Sequence, residues 1–335
     1  MGHRGKKVLV TGADGFIGSH LVESLVAAGA EVTALSLYHA FDTHGWLDDL
    51  TEDMLAPVRL VRGDVRDAAF VRRLVESHEV VFHLAALIAI PHSYQTPQSY
   101  VDTNVTGTLN VLEAARGAGV SRVIHTSTSE VYGTARFTPI TEDHPLQAQS
   151  PYAASKIGGD MMAEAYARSF DLPVVILRPF NTYGPRQSER AVIASVIRQA
   201  LDPACETIRV GDLSPKRDFS YVSDTVDAFL RIGVASGLAY GCPYNSGTGL
   251  AVSVGEVVER ILGLTGTNKT VESEPARLRP ERSEVRELLA DAGRLTKATG
   301  WKSRIDLDEG LERTVAWWRE RLAAGAVRQR ADYLT

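Results

Sequence analysis

Tyr152 and Lys156 stand four residues apart in the run Ser150-Pro151-Tyr152-Ala153-Ala154-Ser155-Lys156. On a helix that spacing sets both side chains on one face. A phenol of ordinary pKa about 10 is a poor base at neutral pH, and an ammonium a few ångströms away favours the phenolate. Such a pair can pass a proton while a nicotinamide takes a hydride. The spacing by itself is common on half-exposed helix faces, so its meaning depends on what the rest of the chain brings to it.

Two stretches must do the positioning. Thr11-Gly12-Ala13-Asp14-Gly15-Phe16-Ile17-Gly18 follows the apolar run Val8-Leu9-Val10 and opens an amphipathic helix to about Ala28. Strand, glycine turn and helix in this order predict dinucleotide binding. Gly12 allows the tight turn, Gly15 lets a pyrophosphate reach the backbone, and Gly18 lets the helix pack on the strand, with Phe16 and Ile17 at the helix start facing the anion. The second stretch is the predicted strand 122–127 and its tail, Ser127-Thr128-Ser129-Glu130-Val131-Tyr132-Gly133, which puts three hydroxyls and a carboxylate at one sheet edge.

Between them strands alternate with helices, the pattern of a parallel sheet. The second strand, Glu31 to Ser36, ends in a serine where an acid would hold the adenosine ribose of NAD, and no acid follows until Asp42. No arginine stands there for a 2′-phosphate either, so NAD is the expected cofactor with NADP left open. After the next strand Asp64, followed by Val65, can accept from the adenine amino group, although Asp64 and Asp67 are equally good caps for the following helix. Val80 to Ala86 reads as a buried strand ending in Leu84, Ala85 and Ala86, small enough to leave room for a cofactor; His83 reads as a packed strand residue. Residues 98–117 predict one long helix with Asn104 in its middle. A strand over 172–178 leads into a rigid polar loop, 179–186. Then the pattern loosens into a strand over 207–210, a basic turn Lys216-Arg217-Asp218, and helices near 224–236, 253–264 and 307–324.

The expected fold is therefore α/β: a Rossmann-type doubly wound parallel sheet with a smaller C-terminal α/β substrate lobe. The dinucleotide domain is expected over residues 1–181, with some later segments returning to it, and the substrate lobe mainly over 182–335. A chain of 335 residues with 44% hydrophobic content can bury such a core. Net charge −5 offers no general attraction to nucleic acid or an anionic membrane. Two cysteines, Cys205 and Cys242, give no disulfide framework or cysteine metal cluster and fit a reducing cytoplasm. No leader-like apolar stretch precedes the first strand, and no segment is apolar enough to span a bilayer.

With the glycine turn, the Ser-Thr-Ser-Glu strand end and Tyr-x-x-x-Lys in this order, the sequence resembles the extended short-chain dehydrogenase/reductases that modify nucleotide sugars. The resemblance covers essentially the whole chain. It implies that Tyr152 is the proton-shuttling base, that Lys156 lowers its pKa and holds the nicotinamide ribose, and that Thr128 completes the oxidation site. It also puts Asn104 among the cofactor contacts, and Ser93, Asn181 and Arg186 among the substrate contacts. Arg217-Asp218-Phe219 resembles the turn that grips the sugar-nucleotide diphosphate, and Arg279-Pro280-Glu281 the second phosphate and ribose contact. An acidic protein can hold two phosphates only by gathering guanidinium groups at the site, and Arg186, Arg217, Arg279 and Arg282 are the candidates.

Every reaction of this family that fits begins with oxidation at C4 of the sugar. Epimerisation then needs only rotation of the ketosugar, whereas 4,6-dehydration needs a further base for the C5 proton, and Glu130 is placed for that work. Many dehydratases carry Asp-Glu here; Ser129 replaces the aspartate, as in GDP-mannose dehydratases. UDP-glucuronate decarboxylases share the same stretch. The segments 87–94, 178–187 and 277–285, with Gly45-Trp46-Leu47-Asp48, resemble the 4,6-dehydratases of the legionaminate pathway, which act on a nucleotide-linked N-acetylglucosamine. A dehydratase is thus expected first, a decarboxylase or 4-epimerase next, and a non-catalytic dinucleotide-binding regulator last. Small and apolar residues on the helix 104–117 and on the tyrosine helix suggest a homodimer.

Overall fold

Seven parallel strands form the central sheet. In this computed structural model, which describes residues 2–327 and only the backbone of Glu281, they are β1 (Lys7–Thr11), β2 (Glu31–Leu37), β3 (Arg59–Gly63), β4 (Val80–His83), β5 (Arg122–Thr126), β6 (Val174–Pro179) and β10 (Pro243–Ser246). Their order is β3-β2-β1-β4-β5-β6-β10. All of β4 and β6 is buried, which is why these strands read as continuous apolar runs: helices cover both faces of a parallel sheet. From β1 the chain first winds outward through β2 and β3, then crosses back so that β4 lies on the other side of β1, with Val8 opposite both Val32 and Val80. The crevice opened by that reversal lies at the carboxyl ends of the strands, where ligands bind in such sheets.

The tyrosine helix, Pro151–Phe170, has strong local instructions. Ser150 caps it by accepting from the Ala153 amide at 3.1 Å, Pro151 occupies its first turn, and Asp171 ends it in the left-handed region at φ 54°. A serine cap contributes about 1 kcal/mol. The buried face that follows carries Tyr152, Lys156 and Asp160 at successive turns.

Three expectations change. The helix expected over 98–117 is interrupted: a helical turn at Pro97–Tyr100 passes into a π-helical segment, Val101–Thr106, before a regular helix resumes over Gly107–Ala118. Asn104 sits in the π segment, where its side chain pairs with both backbone groups of Leu87 at 2.9 Å. The basic turn Lys216-Arg217-Asp218 is instead the start of β9 (Lys216–Tyr221), which pairs with β7 (Asn181–Tyr183), β11 (Ala251–Ser253) and β13 (Glu287–Leu288). Neighbours on both sides override the polar local sequence, and buried Asp218 is satisfied by the amides of Thr248, Gly249 and Ala290. The helix Val192–Leu201, buried along nearly its whole length, was not among the expected elements.

Beyond residue 181 the chain forms the small sheet around β9 and the parallel pair β8 (Thr207–Val210) and β12 (Thr270–Ser273), and returns β10 to the main sheet with Tyr244 opposite Leu177. Residue 1, the Glu281 side chain and residues 328–335, which the expected lobe and phosphate contact included, lie outside the described residues. Among the described residues no helix is long and apolar enough to cross a membrane.

Candidate active site

A cleft of about 830 Å³ runs along the carboxyl edge of the sheet, from the glycine turn to the tyrosine helix. The glycine turn is fixed by contact rather than by composition alone. Gly12 has φ 66°, and a Cβ there would lie 2.7 Å from the Ala85 nitrogen; a Cβ at Gly18 would lie 2.1 Å from the Gly12 carbonyl oxygen. At Gly15 the nearest atom to such a Cβ is the Gly12 oxygen at 3.3 Å, so the turn is closed behind and open towards the cleft. The helix Phe16–Ala27 that follows has no side-chain cap and no acid in its first turn. Its amides are left for an anion, as a pyrophosphate requires.

The adenosine end is walled by Ser36, Leu37, Asp64 and Val65, the opposite side by Leu84, Ala85 and Ala86. Ser36 spends its hydroxyl on His44 Nδ1 at 3.0 Å and the Val61 carbonyl at 3.4 Å. Asp64 and Asp67 separate cleanly. Asp67 is the helix cap, accepting from the Phe70 amide, while Asp64 stays on the cleft wall with Arg66 Nε donating to it at 2.9 Å. His83 is a packed strand residue: Thr108 gives its hydroxyl proton to the Asn104 carbonyl and so accepts from His83 Nε2, which leaves Nδ1 to accept from Thr11.

Not every expected contact reaches the wall. Asn104, 1% exposed, is spent on Leu87 and on the Ser155 hydroxyl at 2.9 Å, so it ties the cleft wall to the tyrosine helix rather than facing the cleft. Ser93 is buried and donates to the Ile90 carbonyl at 2.6 Å. Asn181 and Arg186 do line the cleft; Arg186 Nη1 reaches Glu23 at 2.7 Å. Arg217 and Arg279 lie off the wall in a row of alternating charge. Arg217 Nη2 is 3.0 Å from Glu284, and Arg279 Nη1 is 3.8 Å from both Glu284 and Glu130. Arg282 is exposed.

At the far end the chain leaves β5 into a short 3₁₀ turn, Ser129–Tyr132, with Thr128 as its cap. That turn sets Thr128, Ser129 and Glu130 on the cleft wall beside Tyr152 and Lys156. Both helix residues are buried, and each is shifted by it. Burial pushes the Tyr152 phenol well above its ordinary value; the Thr128 hydroxyl pulls it down and the Glu130 charge pushes it further up. Burial brings Lys156 down to about 8, with Asp160 acting in the opposite direction. The direction expected from Lys156 is thus not the one found: burial sets it, Lys156 is not among the groups that shift the phenol, and its ammonium is committed to the Thr126 carbonyl at 2.6 Å.

Sequence reasoning missed what stands behind the lysine. Asp160, wholly buried, accepts from Ser127 Oγ at 2.8 Å and from Arg178 Nε and Nη2 at 3.1 and 2.9 Å, and His125 Nε2 lies 3.2 Å from its other oxygen. Arg178 continues to the Tyr132 hydroxyl, which donates to Asn245. The one readable signal was position: Asp160 follows Lys156 by four residues, the same step that relates Lys156 to Tyr152.

An open glycine turn, an uncapped helix start, a polar adenosine corner and a tyrosine–lysine pair fit a nicotinamide dinucleotide along the cleft, with Lys156 and Tyr152 at its reactive end. Fold and site together define an extended short-chain dehydrogenase/reductase of the epimerase and dehydratase type. The family model described as GDP-mannose 4,6 dehydratase matches residues 9–314, and the chain belongs to that family. It is 37% identical to the UDP-glucose 4-epimerase of Mycolicibacterium smegmatis, covering 94% of this chain and 99% of that protein. It is 34% identical to a dTDP-glucose 4,6-dehydratase of an Actinoplanes species, over 93% of this chain and 98% of that one. Among solved structures, DesIV, a dTDP-glucose 4,6-dehydratase from Streptomyces venezuelae with NAD bound, superposes with a TM-score of 0.84 at 32% identity, covering 95% of this chain and 98% of that chain.

Proposed function

We propose that this enzyme is a nucleotide-sugar 4,6-dehydratase using NAD, with a nucleotide-linked N-acetylglucosamine or hexose as substrate. The observation that carries the reading is Glu130: its carboxylate shares a turn with Thr128 and lines the same cleft wall as Tyr152, close enough to raise the phenol further. An epimerase has no use for a second base there.

Bound NAD would supply the oxidation at C4 on which the acidity of C5–H depends, and the return of the same hydride to C6, with a proton to C5, once water has left. Thr128 orients the sugar hydroxyl, and Tyr152 takes the O4 proton, with Lys156 one helical turn away to stabilise the phenolate as it forms. Glu130 removes the C5 proton. Among the described residues that line the cleft, the other carboxylates are Asp14 and Asp64, both on the adenosine side. Glu130 is therefore also the group that returns this proton to the departing C6 hydroxyl, which leaves as water, with the Ser129 hydroxyl beside it in place of a dedicated acid. Arg186 at the cleft and Arg217 and Arg279 behind Glu130 supply cations for the diphosphate. We also assign a homodimer, on the outward apolar surface of the tyrosine helix and the π segment, where Met161 and Val101 are 42% and 46% exposed.

Mass spectrometry of UDP-, GDP- and dTDP-linked sugars incubated with the enzyme tests the reaction. Loss of one water supports dehydration. An unchanged mass with altered stereochemistry would instead establish 4-epimerisation, the activity of the Mycolicibacterium relative, and loss of carbon dioxide decarboxylation. Glu130→Gln is expected to slow dehydration about 10²- to 10⁴-fold; full turnover in that variant removes Glu130 from the chemistry.

A further inference from the structure

Where the second strand is expected to carry an acid stands Ser36, one residue short of the observed end of β2, and Ser36 is already bonded to His44 and Val61. The corner nevertheless contains a carboxylate. Asp14 reaches the cleft wall from inside the glycine turn, and its Oδ2 lies 3.4 Å from the backbone N–H of Leu37, the last residue of β2. This is the sheet edge where an acid on β2 itself would stand. The segment after β2 closes firmly on the turn that carries it. Trp46 donates its amide to the Asp14 carbonyl at 3.1 Å, and Gly45, at φ 58°, passes so close that a Cβ would lie 2.7 Å from the same oxygen.

We propose that Asp14 supplies the acidic ribose contact that β2 lacks and sets the preference for NAD over NADP. A carboxylate accepting from the ribose hydroxyls makes charge-assisted hydrogen bonds. The same carboxylate facing a 2′-phosphate meets a like charge in a confined corner. The basic groups near this corner do not cancel it. Arg62 on β3 is held by Asp42 at 2.5 Å and does not line the cleft, Arg66 lines it but is held by Asp64, and His44 is bonded to Ser36. Burial pushes the Asp14 carboxyl up, with the Leu37 amide, His39 and His44 acting the other way; ribose hydroxyl donors would act in the same direction as these. The assignment rests on the dinucleotide reading of the cleft and is independent of which sugar reaction follows.

Calorimetric titration of the full chain, freed of any co-purified cofactor, with NAD⁺ and NADP⁺ separately tests it. Asp14→Asn is expected to weaken NAD⁺ binding about tenfold to a hundredfold while leaving NADP⁺ binding equal or tighter, so that the preference collapses. Adding Leu37→Asp, which puts an acid at the end of β2 at an exposed position, is expected to restore the NAD⁺ preference without restoring Asp14. An unchanged preference in Asp14→Asn, or a parallel loss of both cofactors that Leu37→Asp does not correct, overturns the assignment. If the unaltered chain bound neither dinucleotide, the reading of the whole cleft would fall with it.

Discussion

Lys156 is a charge the fold would be more stable without. The residue is 4% exposed, and burial takes its amine from 10.5 to about 8, a drop equivalent to about 3 kcal/mol of cost at neutral pH. The sign follows from proton counts. Below about pH 8 the folded and unfolded chains both carry the ammonium, and the folded chain bears the full cost. Between about pH 8 and 10.5 the unfolded chain keeps a proton that the folded chain has released, so stability rises with pH, by about 2 kcal/mol from pH 7 to 9.5. Lys156→Met keeps the length of the side chain, removes the charge and leaves the Thr126 carbonyl without its 2.6 Å donor, which costs about 1 kcal/mol. The net expectation is an inactive protein more stable by about 1–2 kcal/mol at pH 7, with the rise from pH 7 to 9.5 reduced by the lysine's share. Urea unfolding of both cofactor-free chains between pH 7 and 9.5 measures this. The upper limit matters, because Tyr152, raised by burial, reverses the trend above about pH 10. A variant no more stable than the parent, with the same pH dependence, would show that Lys156 is not a strained charge.

Asp160→Asn has the opposite expectation. It leaves Arg178 buried without its counter-charge and should cost about 3–5 kcal/mol, read as a lower unfolding midpoint at pH 7. Burial pushes the Asp160 carboxyl up, but His125, Arg178 and Ser127 outweigh it and hold it below its ordinary value. Its contribution is thus present above about pH 4 and lost as pH falls further, and the variant should lack that part of the acid sensitivity. Met161→Arg puts a charge on the proposed dimer face and should shift sedimentation from dimer to monomer while cofactor binding is kept; a parent that sediments as a monomer would end the dimer assignment.

The cofactor half of the cleft was legible because backbone geometry builds it. Gly12, Gly15 and Gly18 each act through the space a missing Cβ leaves, and that information is local to eight residues. The strands were legible because a parallel sheet buried on both faces needs uninterrupted apolar runs. What escaped depends on distant partners. Nothing near Arg217 says that β7, β11 and β13 will make it part of a strand, and nothing near Asn104 says that the helix widens there to let its amide pair with Leu87. Asp14 was passed over for a related reason: the acid was sought at the end of β2, in sequence, whereas the fold delivers it to the end of β2, in space, from a turn more than twenty residues earlier.

The substrate end is built on a different principle from the cofactor end. Arg217, Glu284, Arg279 and Glu130 form a row in which two cations and two anions balance, so a diphosphate drawn to Arg217 or Arg279 meets guanidinium groups that already stand beside carboxylates. Arg217 Nη2 donates to Glu284 at 3.0 Å, so a phosphate oxygen that engages it competes with that carboxylate for the same N–H group. Arg279 Nη1, 3.8 Å from both Glu284 and Glu130, donates to neither. On the proposed reading, the cation that would meet a diphosphate and the carboxylate that would take the C5 proton therefore stand in one row, with Arg279 3.8 Å from Glu130. A tyrosine–lysine pair alone, four residues apart on a helix, has no such neighbour in common with the substrate's phosphates.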